Sequence, residues 1–252
     1  MMKIVVAMKQ IPDLQQVRIK NRRPILEDVP LTFGNIDRNA LEAGVLIREQ
    51  VGGSVTVVAA GKEGLEDTVK EALAAGADQA YLIIYDERED MESSISAGLL
   101  AEAIKQLGSP DLVLFGEGSG DNYSSQVGSR VAEFLDLPQV GYVERIEVAE
   151  GKVLVTRSLE DGQEVLEVTL PAVLTVVADL NQPRIPSVTQ ILKAGKKPRK
   201  VMSAQELLGA VPTPKVTTLS NLAPEIERKK IQVGSADELV QKLRAEGLLG
   251  RA

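Results

Sequence analysis

The chain has no cysteine, no histidine and no tryptophan among its 252 residues. Without thiols there are no disulfides, no cysteine-ligated iron–sulfur cluster and no thiolate nucleophile. Without imidazole there is no serine–histidine relay and no zinc site built on the usual donors. Carboxylate and lysine chemistry remain open, but a chain lacking the commonest proton shuttle at neutral pH is better suited to hold something reactive than to react itself. Aromatic residues are also scarce, with three Phe and four Tyr, and the net charge is −7. Both features argue against a general nucleic-acid binder, which needs stacking platforms and positive charge. No run approaches the roughly 20 apolar residues that cross a bilayer, and MMKIVVAMKQIPD is followed by no small-residue cleavage site, so a cytoplasmic protein is expected.

What is present is enough apolar residue, 44% of the chain, to bury a core of one large domain with an appendage. Lys3 to Met8, Ser54 to Ala60, Ala80 to Ile84 and Asp111 to Phe115 are short, continuously apolar runs of the kind that form strands covered on both faces. Between them Leu65, Val69 and Leu73 recur at helical spacing, as do Ile95, Leu99, Ala103 and Leu107, and then Val127, Val131 and Leu135. Asp37 stands where it would cap a further helix carrying Leu41 and Val45, and Gly76 and Gly108 stand where helices end. From Val140 to Leu170 the pattern alternates, with turns at Gly151 and Asp161-Gly162, which predicts an antiparallel insertion. The run AVLTVV after Pro171 returns to the main sheet. The fold class is α/β: a Rossmann-like, mostly parallel sheet with helices on both faces, a small antiparallel insertion and an extended C-terminal arm.

Strand–helix alternation is expected to stop near Asp179, where Pro183, Pro186, Pro198 and Pro214 begin to punctuate the chain. Residues 1–178 therefore read as a nucleotide-binding α/β domain and residues 179–252 as an arm ending in a helix over Ala236 to Leu248, capped by Ser235. An arm so poor in core pattern either wraps its own domain or packs on another subunit. It carries the one basic cluster, Lys193, Lys196, Lys197, Arg199 and Lys200, which by itself reads as a solvated loop.

The sharpest local feature is FGEGSGDNYSSQVG, Phe115 to Gly128, which follows a strand and opens a helix. Ligands of open α/β sheets sit there, beyond the carboxyl ends of strands, against free N–H groups and the positive ends of helices. Gly116, Gly118 and Gly120 permit close backbone approach, and Ser124 and Ser125 add hydroxyls. The spacing departs from the dinucleotide fingerprint, because Asp121 takes the place of its third glycine. Glu117 and Asp121 would repel phosphate, so Asp121 is expected to cap the helix or to meet a ribose hydroxyl or adenine amine. Ala7 and Met8 end the first strand and Ala59, Ala60 and Gly61 the second, lining the same crevice with small groups.

KIVVAMKQIPD (Lys3 to Asp13), VKEALAAGAD (Val69 to Asp78), the Gly116 to Gly128 loop, LPAV (Leu170 to Val173) and above all NQPRIPSVTQILKAGKK (Asn181 to Lys197) resemble the electron-transfer flavoprotein beta subunit, along the whole chain. The loop resembles the nitrogen-fixation-associated, electron-bifurcating Fix-type branch more than the mitochondrial type. The resemblance implies a heterodimer with an alpha subunit. It places nucleotide contacts at Ala7, Met8 and Lys9, at Gly34, Asn35, Ile36 and Asp37, at Ala60 and Gly61, and along Gly116, Glu117, Gly118, Ser119, Gly120, Asp121, Asn122, Tyr123, Ser124, Ser125, Gln126 and Val127. It places partner recognition over Arg184 to Lys193, with Val188 as the apolar anchor, and so turns the basic cluster into a docking surface. The implied cofactor is FAD, with a second FAD held mainly by the alpha subunit, NADH as donor, and ferredoxin or flavodoxin and a higher-potential acceptor as the two outlets. A ferredoxin-like subunit is a further partner that the resemblance implies. The alternative is structural AMP in a non-bifurcating carrier that passes dehydrogenase electrons toward a quinone oxidoreductase. No residue of the chain itself is expected to be catalytic, and no metal is implied.

Overall fold

The computed structural model describes residues 1–85, 92–210, 213–225 and 229–249. The chain opens with β1 (Met2–Ala7), β2 (Gln10–Pro12), β3 (Arg18–Lys20), β4 (Arg23–Ile25), β5 (Leu31–Phe33), α1 (Asn35–Val51), β6 (Gly53–Gly61) and α2 (Leu65–Ala74). It continues with β7 (Gln79–Ile84), α3 (Ser93–Gln106), β8 (Leu112–Gly116), α4 (Val127–Leu135), β9 (Gln139–Ala149), β10 (Lys152–Leu159), β11 (Gly162–Thr169) and β12 (Ala172–Val176). The last elements are α5 (Val188–Ala194), β13 (Arg199–Ser203), α6 (Ala204–Leu208) and α7 (Ala236–Ala245).

Nine strands form one sheet in the order β11-β10-β9-β12-β8-β1-β6-β7-β13, parallel from β9 through to β13. The continuous Val, Ile and Leu runs follow from coverage on both faces. Along β1, Ile4 and Val6 join the core under α1 and α2, whereas Val5 and Ala7 join the core under α3, α4 and α6. From β1 the chain steps outward through β6 and β7, then returns to β8 on the other side of β1. The boundary between β1 and β8 is thus the topological switch point, where a crevice opens at the strands' carboxyl ends.

The expected strands, the helices between them, the return of β12 and the helix ends at Gly76 and Gly108, both with positive φ, are all present. Three expectations need correction. Asp37 does not cap α1: Gly34 is the N-cap, and Asp37 lies buried in the first turn. The Val140–Leu170 segment is antiparallel between β9, β10 and β11 but extends the main sheet, because β9 runs parallel to β12. Strand–helix alternation runs on past Asp179 to Leu208, since β13 pairs with β7 at the sheet's edge. Pro198 does not bar this strand, because it precedes it, where no ladder donor is needed.

The excursion between β1 and α1 is also new. Strands β2 and β5 pair antiparallel, with Gln10 opposite Phe33. That pairing brings the chain back to the end of β1, so α1 starts beside Lys9. Among the described residues, no helix is long and apolar enough to cross a membrane.

Candidate functional site

Three stretches far apart in sequence meet at the switch point. Asp37, in the first turn of α1, accepts the backbone N–H of Lys9 at 2.8 Å on Oδ2, and the Gly116 N–H also points to its carboxylate. One buried side chain thereby ties the end of β1 to the end of β8. Burial pushes its pKa up to about 7, against the opposing pull of the two N–H donors and the Lys9 charge. Gly116 is a glycine because α1 closes on it: a Cβ there would stand 2.7 Å from Asp37 Oδ1 and 3.1 Å from the Asp37 nitrogen. Gly128 likewise lets α4 approach β12, since a Cβ would meet Thr175 Cγ2 at 2.5 Å. These two glycines are explained by packing. A Cβ on Gly118 or Gly120 would instead press on side chains of the loop and its neighbour Leu14.

Lys9 reaches from β1 over the loop and binds Asp121 at 2.6 Å, with Ser119 Oγ at 3.4 Å. Asp121 therefore does not cap α4. Burial alone would raise its pKa, but hydrogen bonds from Lys9 and Ser119 outweigh that and hold it below the usual carboxylate range. The loop is tightly wound: Tyr123 and Ser125 have positive φ, and the Tyr123 hydroxyl is bonded to Glu117, whose carboxylate pushes the phenol pKa up to about 12. Non-glycine residues in that region carry a conformational cost that surrounding contacts must offset, and such residues cluster at ligand sites.

The helix N-termini separate into two groups. α1, α2, α3 and α4, which all begin at the carboxyl edge of the sheet, have no side-chain cap hydrogen bond. α5, α6 and α7 are capped by Ser187, Ser203 and Ser235, although α6 too begins at that edge, directly after β13. Uncapped first-turn N–H groups with a positive dipole end are what an anionic group would satisfy. Contacts thus join Lys9, Asp37, Gly116, Ser119 and Asp121 at this edge of the sheet, flanked in the chain by Ala7, Met8, Gly34 to Ile36 and the rest of Gly116 to Val127. Ala60 and Gly61 lie one strand further along the same edge, where Gly61 faces the Gln10 side chain and Leu65. Leu14 under Gly120, and Ser93, which bonds Gln126 at 3.1 Å, had no periodic signal in the sequence to mark them.

The residues assigned to partner recognition divide. Val188 and Lys193 are exposed on α5, and Ile185, Ile191 and Leu192 are exposed beside them. Arg184 turns inward onto Glu42 and Glu49 of α1. Two of the five residues of the basic cluster have structural work: Lys197 Nζ donates to the carbonyls of Leu73 and Ala77, closing the end of α2, and Lys200 sits 4.8 Å over the Tyr81 ring. A cavity of about 590 Å³ lies between α1, α2 and the Pro183–Ile191 segment, lined by Phe33, Leu41 and Ala75 among others, and also by Met8 and Asn35, two of the residues expected to touch the nucleotide.

Comparison with known proteins shows the family. Residues 25–207 match the electron transfer flavoprotein domain. The chain is 40% identical over 254 positions to an electron transfer flavoprotein subunit beta of Thermoanaerobacterium thermosaccharolyticum, covering 96% of each chain. It is 39% identical over 209 positions to subunit CarD of the caffeyl-CoA reductase-Etf complex of Acetobacterium woodii, covering 82% of this chain and 80% of that one. It is 37% identical over 208 positions to the corresponding beta subunit of Clostridium acetobutylicum, covering 82% and 80%.

Proposed function

This chain belongs to the electron transfer flavoprotein family as a beta subunit, and from that premise we propose that it pairs with an alpha subunit and holds FAD in the switch-point crevice to take electrons from NADH. The single observation that carries the reading is the convergence of Lys9, the uncapped N-termini of α1 and α4 and the wound Gly116–Val127 loop on one edge of the sheet. Backbone N–H groups and one ammonium suit a diphosphate, and the small strand-end residues Ala7, Ala60 and Gly61 leave room for a flat ring.

In this reading Asp37 fixes the spacing of β1 and β8, Lys9 supplies the positive charge, and the loop wraps the nucleotide. Bound FAD supplies the two-electron chemistry, and the protein positions it and sets its surroundings. No histidine is needed for that task. The alpha subunit holds a second FAD, and electrons part toward ferredoxin or flavodoxin and a higher-potential acceptor. Similarity to CarD, a subunit of a reductase-Etf complex, supports a place in a larger assembly.

One observation favours a second reading. Lys9 is already paired with Asp121, which reduces the positive charge available to a diphosphate and suits AMP, held structurally in a carrier that passes dehydrogenase electrons toward a quinone oxidoreductase. Anaerobic stopped-flow of the assembled complex separates the two. On the first reading NADH bleaches a flavin, and reduction of ferredoxin or flavodoxin requires the second acceptor to be present. NADH that bleaches no flavin leaves the AMP reading.

A further inference from the structure

Strands β3 and β4 form a two-stranded sheet of their own, and all six of their residues are exposed. A hairpin of two strands left to itself is marginal in water. Its register puts Ile19 opposite Pro24 on one face, and Arg18, Lys20, Arg23 and Ile25 on the other. An apolar face and a basic face therefore both look outward, in a chain whose net charge is −7.

The turn that joins them is Asn21-Arg22, with φ of 51° and 63°. Two positive φ values suit a two-residue hairpin turn, whose second position favours glycine. Arginine stands there instead, in a conformation whose cost surrounding contacts must offset. Those contacts go to the C-terminal arm. Arg22 Nε donates to the Ala223 carbonyl at 2.8 Å, Nη1 donates to Glu225 at 2.5 Å, and the Arg22 carbonyl accepts the Ala223 N–H at 2.8 Å. Upstream the arm is pinned once more, where Glu92 at the start of α3 accepts the N–H groups of Lys215 and Val216 at 2.7 and 3.2 Å. Between the pins Leu219 is 95% exposed. Beyond them α7 has no buried residue, and at 10 residues it is too short to hold by itself in water.

We propose that the β3–β4 hairpin is a clasp for subunit assembly: Arg22 fixes the path of the arm, and the arm and the adjoining Ile19–Pro24 face make one composite surface that the alpha subunit covers. The inference rests on the reading that the chain pairs with an alpha subunit through its arm. Membership as a beta subunit supplies that counterpart. The hairpin and α7 are the elements that need packing from outside, and the clasp makes them neighbours of one strap. A free arm would lose its conformational freedom at the moment of binding, whereas an arm pinned at Arg22 has already lost part of it. The basic face of the hairpin calls for an acidic rim on the covering surface.

Arg22→Gly separates assembly from folding, because glycine suits the φ of the turn while both side-chain bonds disappear. In competition with dye-labelled parental chain for the alpha subunit, this variant should bind about tenfold more weakly, with a melting temperature no lower than the parental one. Amide hydrogen exchange at Ala223 should quicken in it while rates along β1 and β6 stay as they are, a change that a role in hairpin stability alone would not produce. Ile19→Asp should weaken binding by a similar factor and leave exchange at Ala223 unchanged. Parental affinity in either variant overturns the proposal. Self-association of the chain alone, abolished by Ile19→Asp, would assign the face to a second copy and overturn it as well. The combined Leu219→Asp and Val240→Asp chain checks the arm reading separately: parental affinity there removes the arm from the interface, whereas weakened binding there beside parental Arg22→Gly removes only the clasp.

Discussion

The Asp37 carboxylate accepts the Lys9 backbone N–H at 2.8 Å from inside the first turn of α1, and so joins the helix to the strand end that borders the crevice. A group charged in the unfolded chain and pushed up to about 7 by burial in the folded one makes stability depend on pH in a defined direction. Between about pH 4 and 7 the folded state keeps a proton that the unfolded state has lost, so this group's contribution falls as pH rises and levels off above 7. Asp37→Asn cannot titrate. Its stability relative to the parent should improve from pH 5 to pH 8 by an amount on the order of 2–3 kcal/mol. Urea unfolding of both proteins at the two pH values measures this. A constant difference would mean that the two N–H donors keep the carboxylate ionised throughout.

The glycines of the Gly116–Gly128 loop should differ in what they protect. Gly116→Ala places a Cβ against the backbone of α1, where relief requires the helix to shift, at about 1–3 kcal/mol. Gly118→Val presses first on the Tyr123 and Ser125 side chains, and Ala60→Leu adds bulk near the end of β6. These two should lower nucleotide occupancy of the purified complex while the melting curve of the stripped protein hardly moves. Parental nucleotide stoichiometry in both would remove the site from this edge.

Lys9 and Asp121 are both partly exposed, so their pairing contributes at most about 1 kcal/mol to stability. Its effect on ligand charge should be larger. Asp121→Asn frees Lys9 and should tighten binding of ADP by roughly tenfold, whereas Lys9→Met should weaken it by a similar factor, as expected for gain or loss of one charge-assisted contact. Calorimetry on nucleotide-stripped protein gives both numbers, and equal affinities in the two variants would place the phosphates elsewhere.

Two truncations divide the arm. A chain ending at Leu208 keeps β13, buried Ala194 and the Lys197 bonds to the end of α2, and should fold but fail to co-purify with the alpha subunit. A chain ending at Asp179 loses all of these and leaves β7 as an open edge, so its melting temperature should fall. Co-purification of the longer truncation at the full-length yield would assign assembly to other residues.

The parallel sheet was legible because its strands are continuous apolar runs joined by helices of clear period. The crevice was legible from one strand–glycine–helix passage. The role of Asp37 was not, because an acid at a helix start reads as a cap, and only the β2–β5 pairing places it beneath Lys9. β13 was hidden by the five basic residues around it, since an edge strand under a cation–π contact has no apolar signature. The ion pairs of Arg184 were not legible either, because its partners lie 142 and 135 residues away.

The most direct test of the central claim is a count of nucleotides released from the co-purified alpha–beta complex, by mass spectrometry against protein concentration. FAD in the switch-point crevice predicts two FAD per heterodimer, falling to one in Gly118→Val. One FAD and one AMP per heterodimer would contradict it.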